Sequence, residues 1–437
     1  MARRSGKARR AGLRPLALSG AAGLCALSLT TAPVALAQGQ QQAPAGPRLV
    51  FDARLGVTAS DNPDFEVNPP DSAVWATGAL SFGFADDNAL SSFSLTGNLG
   101  FRKGLGGNTD GDGRISDRAL RMRYDRNGAN AQFSFSAVLT ESRLEYLRPL
   151  TDFVDSNGVF TPPDDLDQLN GTGWRRRVGF DTKLTLGSSA PFGATLGAGV
   201  SDVSYRDTSS ASLDDNRRSY ADVDLRFNLS QVTQATVGVR FDRYEDSDQQ
   251  DDEWTLRLGL AFDRPDGQLR FGVQARDTAS GTRTQFQVGR QFLRGWGSLD
   301  TGLGVIRDTG GKTRVSGDLS LVYNLPNGAL KAALARSVGS GTNNAETMRT
   351  TASIGYSTPL SPQSSLTVDL AYVQLDALAT DLTTRDTSFG ISYSYALTQD
   401  WNLNLGYDRR RRDEDMVGVS DENTITLSIS HRFTSGF

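Results

Sequence analysis

Between Val74 and Arg102 apolar and polar side chains alternate with a period of two. Val74, Ala76, Gly78, Leu80, Phe82 and Phe84 interleave with Trp75, Thr77, Ala79, Ser81 and Gly83. After the polar turn Ala85-Asp86-Asp87-Asn88-Ala89, Phe93, Leu95, Gly97, Leu99 and Phe101 interleave with Ser94, Thr96, Asn98, Gly100 and Arg102. A two-residue period puts every second side chain on one face of a strand. The stretch therefore predicts two strands, each with an apolar and a polar face, joined by a turn. The pattern recurs to the end of the chain. Leu256, Leu258, Leu260 and Phe262 oppose Thr255, Arg257 and Gly259, and Leu366, Val368, Leu370 and Tyr372 oppose Thr367 and Asp369. No helical segment intervenes to cover the apolar faces. A sheet so exposed must turn its apolar face to lipid and its polar face to a lumen, which predicts an all-β, up-and-down antiparallel transmembrane barrel.

The first strand is expected around Phe51, Ala53, Leu55 and Val57. From there the chain parses into about twenty strands (roughly 18–22), each about nine to twelve residues long. Tight turns such as Arg126-Asn127-Gly128-Ala129, Arg264-Pro265-Asp266-Gly267 and Pro326-Asn327-Gly328 carry Gly, Asn, Asp and Pro chemistry. They alternate with longer polar connections at 59–73, 103–117, 143–172, 207–217, 245–253, 337–348, 374–384 and 408–422. With short turns periplasmic and long loops extracellular, both termini are expected in the periplasm and the strand number is even. Trp75, Trp174 and Trp254 open strands from one side and Trp296 and Trp401 from the other, which predicts aromatic girdles at both membrane interfaces.

Composition and charge agree with this reading. Only 38% of residues are hydrophobic, as a wall with one apolar face requires. Arg3, Arg4, Lys7, Arg9, Arg10 and Arg14 precede the apolar run Leu16–Leu29 and the Ala35-Leu36-Ala37 cleavage site, so residues 1–37 read as a signal peptide. Residues 38–48 are then a short periplasmic lead, too small for a globular plug, and 49–437 form the barrel. The lone cysteine, Cys25, falls in the signal, which leaves no disulfide or thiolate metal site in the mature chain. Removing the six basic residues of 1–37 leaves 40 basic against 50 acidic side chains, a formal net of −10. Such a chain is a poor partner for nucleic acid.

The last strand, Ile425-Thr426-Leu427-Ser428-Ile429-Ser430-His431-Arg432-Phe433, alternates and closes on an aromatic residue. It resembles the C-terminal assembly signal of Gram-negative outer-membrane proteins, read by the barrel-insertion machinery, with Ile429, His431, Phe433 and the terminal Phe437 as its elements. Thr434-Ser435-Gly436-Phe437 extends past the usual final aromatic. A narrower likeness rests on the twelve residues Phe51–Asn62, which resemble the entry strand of the porin type 2 barrels, some of them exopolysaccharide-associated. Membrane-embedded barrel enzymes of this class (phospholipases, lipid A deacylases, omptin proteases) use a histidine base. The one histidine here, His431, shares parity with Leu427, Ile429 and Phe433 and is expected to face lipid, so no enzyme is expected.

Three features bear on chemistry inside such a barrel. Parity turns Arg102, Arg121, Arg123, Arg175, Arg177, Lys183, Arg226, Arg240, Arg257 and Arg270 to the lumen, with Asp181, Asp222, Asp224, Asp242, Asp318 and Asp369. Charges of both signs imply either a hydrated interior or a salt-bridged, water-occluded wall. The longest connection, 143–172, carries Leu147, Leu150, Phe153, Val154, Val159 and Phe160 beside Asp152, Asp155, Asp164, Asp165 and Asp167. It either folds inward as a constriction, resembling the inserted third loop of general porins, or covers the mouth from outside. Finally, Asn108, Asp110 and Asp112 sit at the first, third and fifth positions of a stretch resembling a calcium loop. Its twelfth position is Ala119 where a glutamate is required, so the choice lies between weak Ca²⁺ binding and an ordinary Asp/Gly turn. No other cofactor is expected. The functional expectation is a porin-like passive channel for small polar solutes in the outer membrane, with lipid and lipopolysaccharide around it. The alternative is a structural or export barrel associated with exopolysaccharide or lipopolysaccharide, without general pore activity.

Overall fold

The computed structural model describes residues 46–69, 72–107, 113–144, 150, 173–208, 213–340 and 346–436. Within these lie β1 (Gly46–Ser60), β2 (Ala73–Asp87), β3 (Ser91–Gly107), β4 (Arg114–Asn127), β5 (Ala131–Arg143), β6 (Trp174–Leu186) and β7 (Phe192–Arg206). β8 (Asn216–Asn228), β9 (Thr233–Glu245), β10 (Gln250–Arg264), β11 (Gly267–Thr278), β12 (Gly281–Arg294) and β13 (Gly297–Arg307) follow. The rest are β14 (Thr313–Leu325), β15 (Gly328–Ser340), β16 (Glu346–Ser361), β17 (Ser364–Ala377), β18 (Thr383–Ala396), β19 (Trp401–Glu414) and β20 (Gly418–Gly436). Each strand pairs antiparallel with the next in sequence, and β20 returns to pair with β1, Phe51 opposite Phe433 and Leu55 opposite Ile429. The result is a closed, twenty-stranded antiparallel barrel, as the alternation predicts.

The cross-strand register keeps parity constant round the wall. Leu256 lies opposite Val239 and Ala275, Leu258 opposite Val237 and Val273, and Leu260 opposite Ala235 and Phe271. All face outward, and Leu256, Leu258, Leu303 and Leu427 are among the exposed large hydrophobics. An apolar belt of this extent facing away from the protein is stable only against lipid. Mid-wall glycines serve their neighbours: the Phe82 ring lies over Gly97 across the β2–β3 ladder, where a Cβ would come within 2.1 Å of Phe82 Cε1.

One end of the barrel has short turns. At the β10–β11 turn Gly267 adopts φ +137°, and a Cβ there would sit 2.0 Å from Gln291 O, which explains why Pro265-Asp266 must be followed by glycine. At the other end the connections are longer, yet most are shorter than the sequence pattern predicts. The 408–422 segment is mostly ladder, with β19 running to Glu414 and β20 starting at Gly418; 245–253 shrinks to 246–249 and 374–384 to 378–382. Alternation disappears there because both faces are polar, but the backbone ladder continues. Cross-strand pairs such as Arg243–Asp252 (2.7 Å) and Arg409–Asp421 (3.3 Å) accompany it.

The aromatic girdles hold with one correction. Trp254 packs on Phe241, Trp296 on Tyr323 and Trp401 on His431, all on the outer surface, and Trp174 shares outward parity with Phe180. Trp75 instead has inward parity with Thr77 and is buried, with the Arg102 guanidinium 5.4 Å over its ring.

Candidate functional site

The register places the predicted inward charges on one continuous inner surface. Asp222 and Asp224 of β8 face Arg257 of β10, whose Nη2 donates to both Asp224 carboxylate oxygens at 3.0 Å and lies 3.9 Å from Asp222. Gly238 lies between them on β9; a Cβ there would meet Asp224, so its absence lets the pair bridge a whole strand. Arg240 pairs with Asp242 at 2.7 Å and lies 4.0 Å over the Tyr220 ring, whose hydroxyl donates to Asp181. Arg270 pairs with Asp300, and Gln287 Nε2 donates to Asp318. Arg123 bonds Asp125 and Arg177 Nε donates to Ser201 Oγ at 3.1 Å. Arg121 and Arg175 share the inward parity of Arg123 and Arg177. Arg226, inward as well, caps the β6–β7 turn through the carbonyls of Gly187, Ser188 and Ala190. The wall is ion-paired without being sealed: Arg123 remains 65% exposed and Asp224 40%.

At the long-loop end the lumen is crowded from three directions. Leu150, from the β5–β6 connection, is fully buried against Ala371, Val373 and Leu375 on the inner face of β17. Its N–H donates to Ser388 Oγ of β18 at 2.8 Å. The chain between β5 and β6 thus reaches a wall far round the circumference. Phe65, from the β1–β2 connection, lies 4.4 Å over Arg410 and 5.7 Å from Arg412. Its loop is pinned by Asn62, which bonds Glu66 in both directions and donates to Asp421 O at 2.8 Å. Below Phe65, Arg410 and Arg412 of β19 both grip the buried Asp386 of β18, with Nη2 donating to Oδ2 at 2.5 and 3.2 Å.

The third intrusion comes from the β15–β16 hairpin. β14 stops pairing with β15 at Gly317–Arg336, but β15 and β16 stay paired up to Ser340–Glu346. Above the break, the outward-parity residues Val338 and Met348 pack on the inward-parity Ile306 of β13. Glu346 takes Arg283 of β12 at 3.4 Å and both the N–H and hydroxyl of Thr309. The sheet therefore overlaps itself, with the hairpin on the lumen side of the β13–β14 tip.

That tip, 308–312, is held by Asp308. Burial alone raises its carboxyl, but Arg314 Nε and the Lys312 N–H, each at 2.7 Å, outweigh burial and hold it below the ordinary range. A carboxyl depressed in the fold contributes stability above its unfolded-state value and loses it as the pH falls through the folded one. Amide exchange at Lys312, relative to its intrinsic rate, is expected to accelerate only in strongly acidic solution. Asp308→Asn should show the faster exchange at neutral pH too; a rate indifferent to both pH and substitution would refute the assignment.

Several predicted residues lie outside the described ones: Asp152, Asp155, Asp164, Asp165 and Asp167 of the loop, Asn108, Asp110 and Asp112, and Phe437. From Arg114 onward the calcium-like stretch is strand, paired with β3. His431 faces outward between Trp401 (4.5 Å) and Phe433 (4.2 Å), away from the lumen. Ile429 and Phe433 share that face, against Leu55 and Phe51 of β1. The cluster Asp386, Arg410, Arg412 and Phe65 is not among the residues the sequence pattern predicts. Its signal is the run Arg409-Arg410-Arg411-Arg412, which reads as a solvated loop until strand parity splits it into an outward pair, Arg409 and Arg411, and an inward pair, Arg410 and Arg412.

No family model matches the chain, and no curated protein matches it. Solved structures do. The chain is similar to a variant of the ferric enterobactin receptor PfeA from Pseudomonas aeruginosa in complex with enterobactin, at 11% identity, over 90% of this chain and 82% of that one, with a TM-score of 0.50. The chain has the fold of the large outer-membrane β-barrels. Other similar structures are the siderophore receptor PirA from Pseudomonas aeruginosa (12% identity, 90% and 81% covered, TM-score 0.49) and the outer membrane channel DcaP of Acinetobacter baumannii (14%, 90% and 99%, TM-score 0.36). At such identities the likeness is one of fold.

Proposed function

We propose that this chain is an outer-membrane channel for the passive passage of small polar solutes. Its long loops face outward, both termini lie in the periplasm, and the chain between β5 and β6 narrows the mouth. The observation that carries the reading is a wide, ion-paired barrel wall on which inward charges such as Arg123 and Asp224 stay solvent-exposed, with a loop residue, Leu150, seated on the opposite wall. A twenty-stranded barrel is too wide for wall side chains to fill, so passage is governed by whatever folds into it. The acids of 152–167 would then face the arginines of the flanking strands, Arg121, Arg123, Arg175 and Arg177. His431 points outward, so the lumen has no histidine base to offer a barrel hydrolase.

Planar-bilayer recording tests this. The barrel should conduct, and deleting 151–168 should raise single-channel conductance at least about twofold, given the width of the lumen. Unchanged conductance with a folded barrel would put the loop outside the pore. No conductance in either form would favour a barrel that serves polysaccharide export without passing solutes by itself.

A further inference from the structure

The β14–β15 ladder stops at Gly317–Arg336, yet both of its strands run on. Thr313–Ser316 stay paired with β13, and Ser337–Ser340 stay paired with β16. Among the described residues, at every other ladder one of the two strands ends within one residue of the last pair. Here alone two matching stretches of strand face each other's place in the sheet without pairing.

The stretch on β14 lacks what such pairing supplies. Val315, outward beside Val305, is 66% exposed. Ser316 has inward parity and is only 3% exposed, and its Oγ finds no hydrogen-bond partner among the described residues. An open strand edge and a buried unbonded hydroxyl are both unfavourable. Continuing the existing register upward answers both: Ser337 would come opposite Ser316 and Val338 opposite Val315. The outward row would then read Val305, Val315, Val338, Met348, apolar across four strands.

The present seat has contacts of its own. Val338 and Met348 are buried on Ile306, with Leu378 packed against them. Glu346 takes Arg283 and Thr309, and its carbonyl accepts the N–H of Leu378 at 3.0 Å. Ile306 and Val315 lie on opposite faces of the β13–β14 ladder, so Val338 can cover only one of them at a time. Two exclusive packings of the same residues, each with its own set of contacts, make a two-state element.

We propose that the upper β15–β16 hairpin is a flap with two seats, hinged where Arg336–Ser337 crosses Arg349–Thr350. In the inner seat it lies on Ile306 and crowds the mouth. In the outer seat it completes the β14–β15 ladder and the mouth is wider. The Arg283–Glu346 pair latches the inner seat. β16 stays paired with β17 up to Thr347–Ala377, so the wall that receives Leu150 moves with the flap. The proposal rests on the fold and not on the channel reading.

The test locks each seat with a disulfide in a Cys25→Ser chain, which has no other thiol. Ile306→Cys with Val338→Cys, or Ile306→Cys with Met348→Cys, reports the inner seat. Val315→Cys with Val338→Cys reports the outer one, since residues directly opposite in an antiparallel ladder are within disulfide reach. Assembled barrels, identified by heat-modifiable migration, are oxidised mildly and bond formation is followed by intact mass. An inner pair should close readily. The outer pair should close more slowly, and adding Glu346→Ala should speed it at least about tenfold. In Glu346→Ala without the cysteine pairs, amide exchange over 313–316 should slow, because that edge gains a second neighbour. Faster exchange there, or an outer pair that stays open with and without Glu346→Ala, would overturn the flap and leave the overlap fixed. Failure of both inner pairs to close would overturn the inner seat. Because the bonds are read by mass, a barrel that passes no current would sink the channel reading and leave the flap standing.

Discussion

Replacing Asp386 by alanine is expected to destabilise the barrel by about 3–5 kcal/mol, because two arginines would be left buried without their shared acid. Asp386, Arg410 and Arg412 are all nearly inaccessible, and Arg410 Nη1 already lacks a hydrogen-bond partner with the acid in place. Phe65 stacks on both guanidiniums, so the damage should spread to the β1–β2 loop, whose hold on the mouth depends on that platform. Denaturant unfolding in detergent micelles measures the loss. Proteolysis within 61–69 should become faster at the same time. Replacing all three charged residues by leucine or methionine of similar volume should recover most of the stability, since the cost lies in the orphaned charges and not in their absence. A triple variant as unstable as Asp386→Ala would show that the cluster matters for its packing alone.

Leu258→Arg is expected to cost about 2–4 kcal/mol and to cut the yield of assembled barrel sharply, because the new charge lies at the middle of the apolar belt. Leu258 sits between Val237 and Val273 on the outer surface, with Leu256 and Leu260 above and below it on the same strand. The comparison site must face inward and have room. Thr255 is only 4% exposed, so the better choice is Gly272, on the inner face of β11, where an added Cβ meets nothing within 4 Å. Gly272→Arg should assemble nearly as well as the parent. Heat-modifiable migration on unboiled gels distinguishes assembled from unassembled chain. Equal tolerance of arginine at 258 and 272 would overturn the inside–outside assignment of the wall.

The wall could be read from the chain because one face of every strand answers to lipid. Leu256, Leu258 and Leu260 have no other environment available, so a period of two is enough to place them. The upper strands escaped for the opposite reason. Where both faces are polar, Arg409 to Arg412 and Asp421 carry no alternation of apolar and polar side chains, and only cross-strand pairing reveals the ladder. Leu150 is an intermediate case. An apolar residue in an acidic loop signals that it packs somewhere, but not where. The wall that receives it had its own signal: Ala371, Val373 and Leu375 put three consecutive apolar side chains on the inward face of β17, against the polar rule of that face. Each anomaly reads as noise alone; together they are a contact. Trp75 stands at a strand end, where a girdle is expected, but follows the inward parity of Thr77.

The seam between β1 and β20 sets the order in which this molecule can come into being. It binds residues as far apart as Thr58 and Thr426, 368 positions along the chain. Every other ladder joins sequence neighbours and can form as a local hairpin. This one must wait for the whole polypeptide, and until it closes two strand edges stand open with unpaired amides and carbonyls. Such long-range pairing is slow and leaves the intermediate prone to pair with other chains. A barrel built this way has no partly closed precursor: shortened by a single terminal strand, it is a curved sheet with two adhesive borders and no inside.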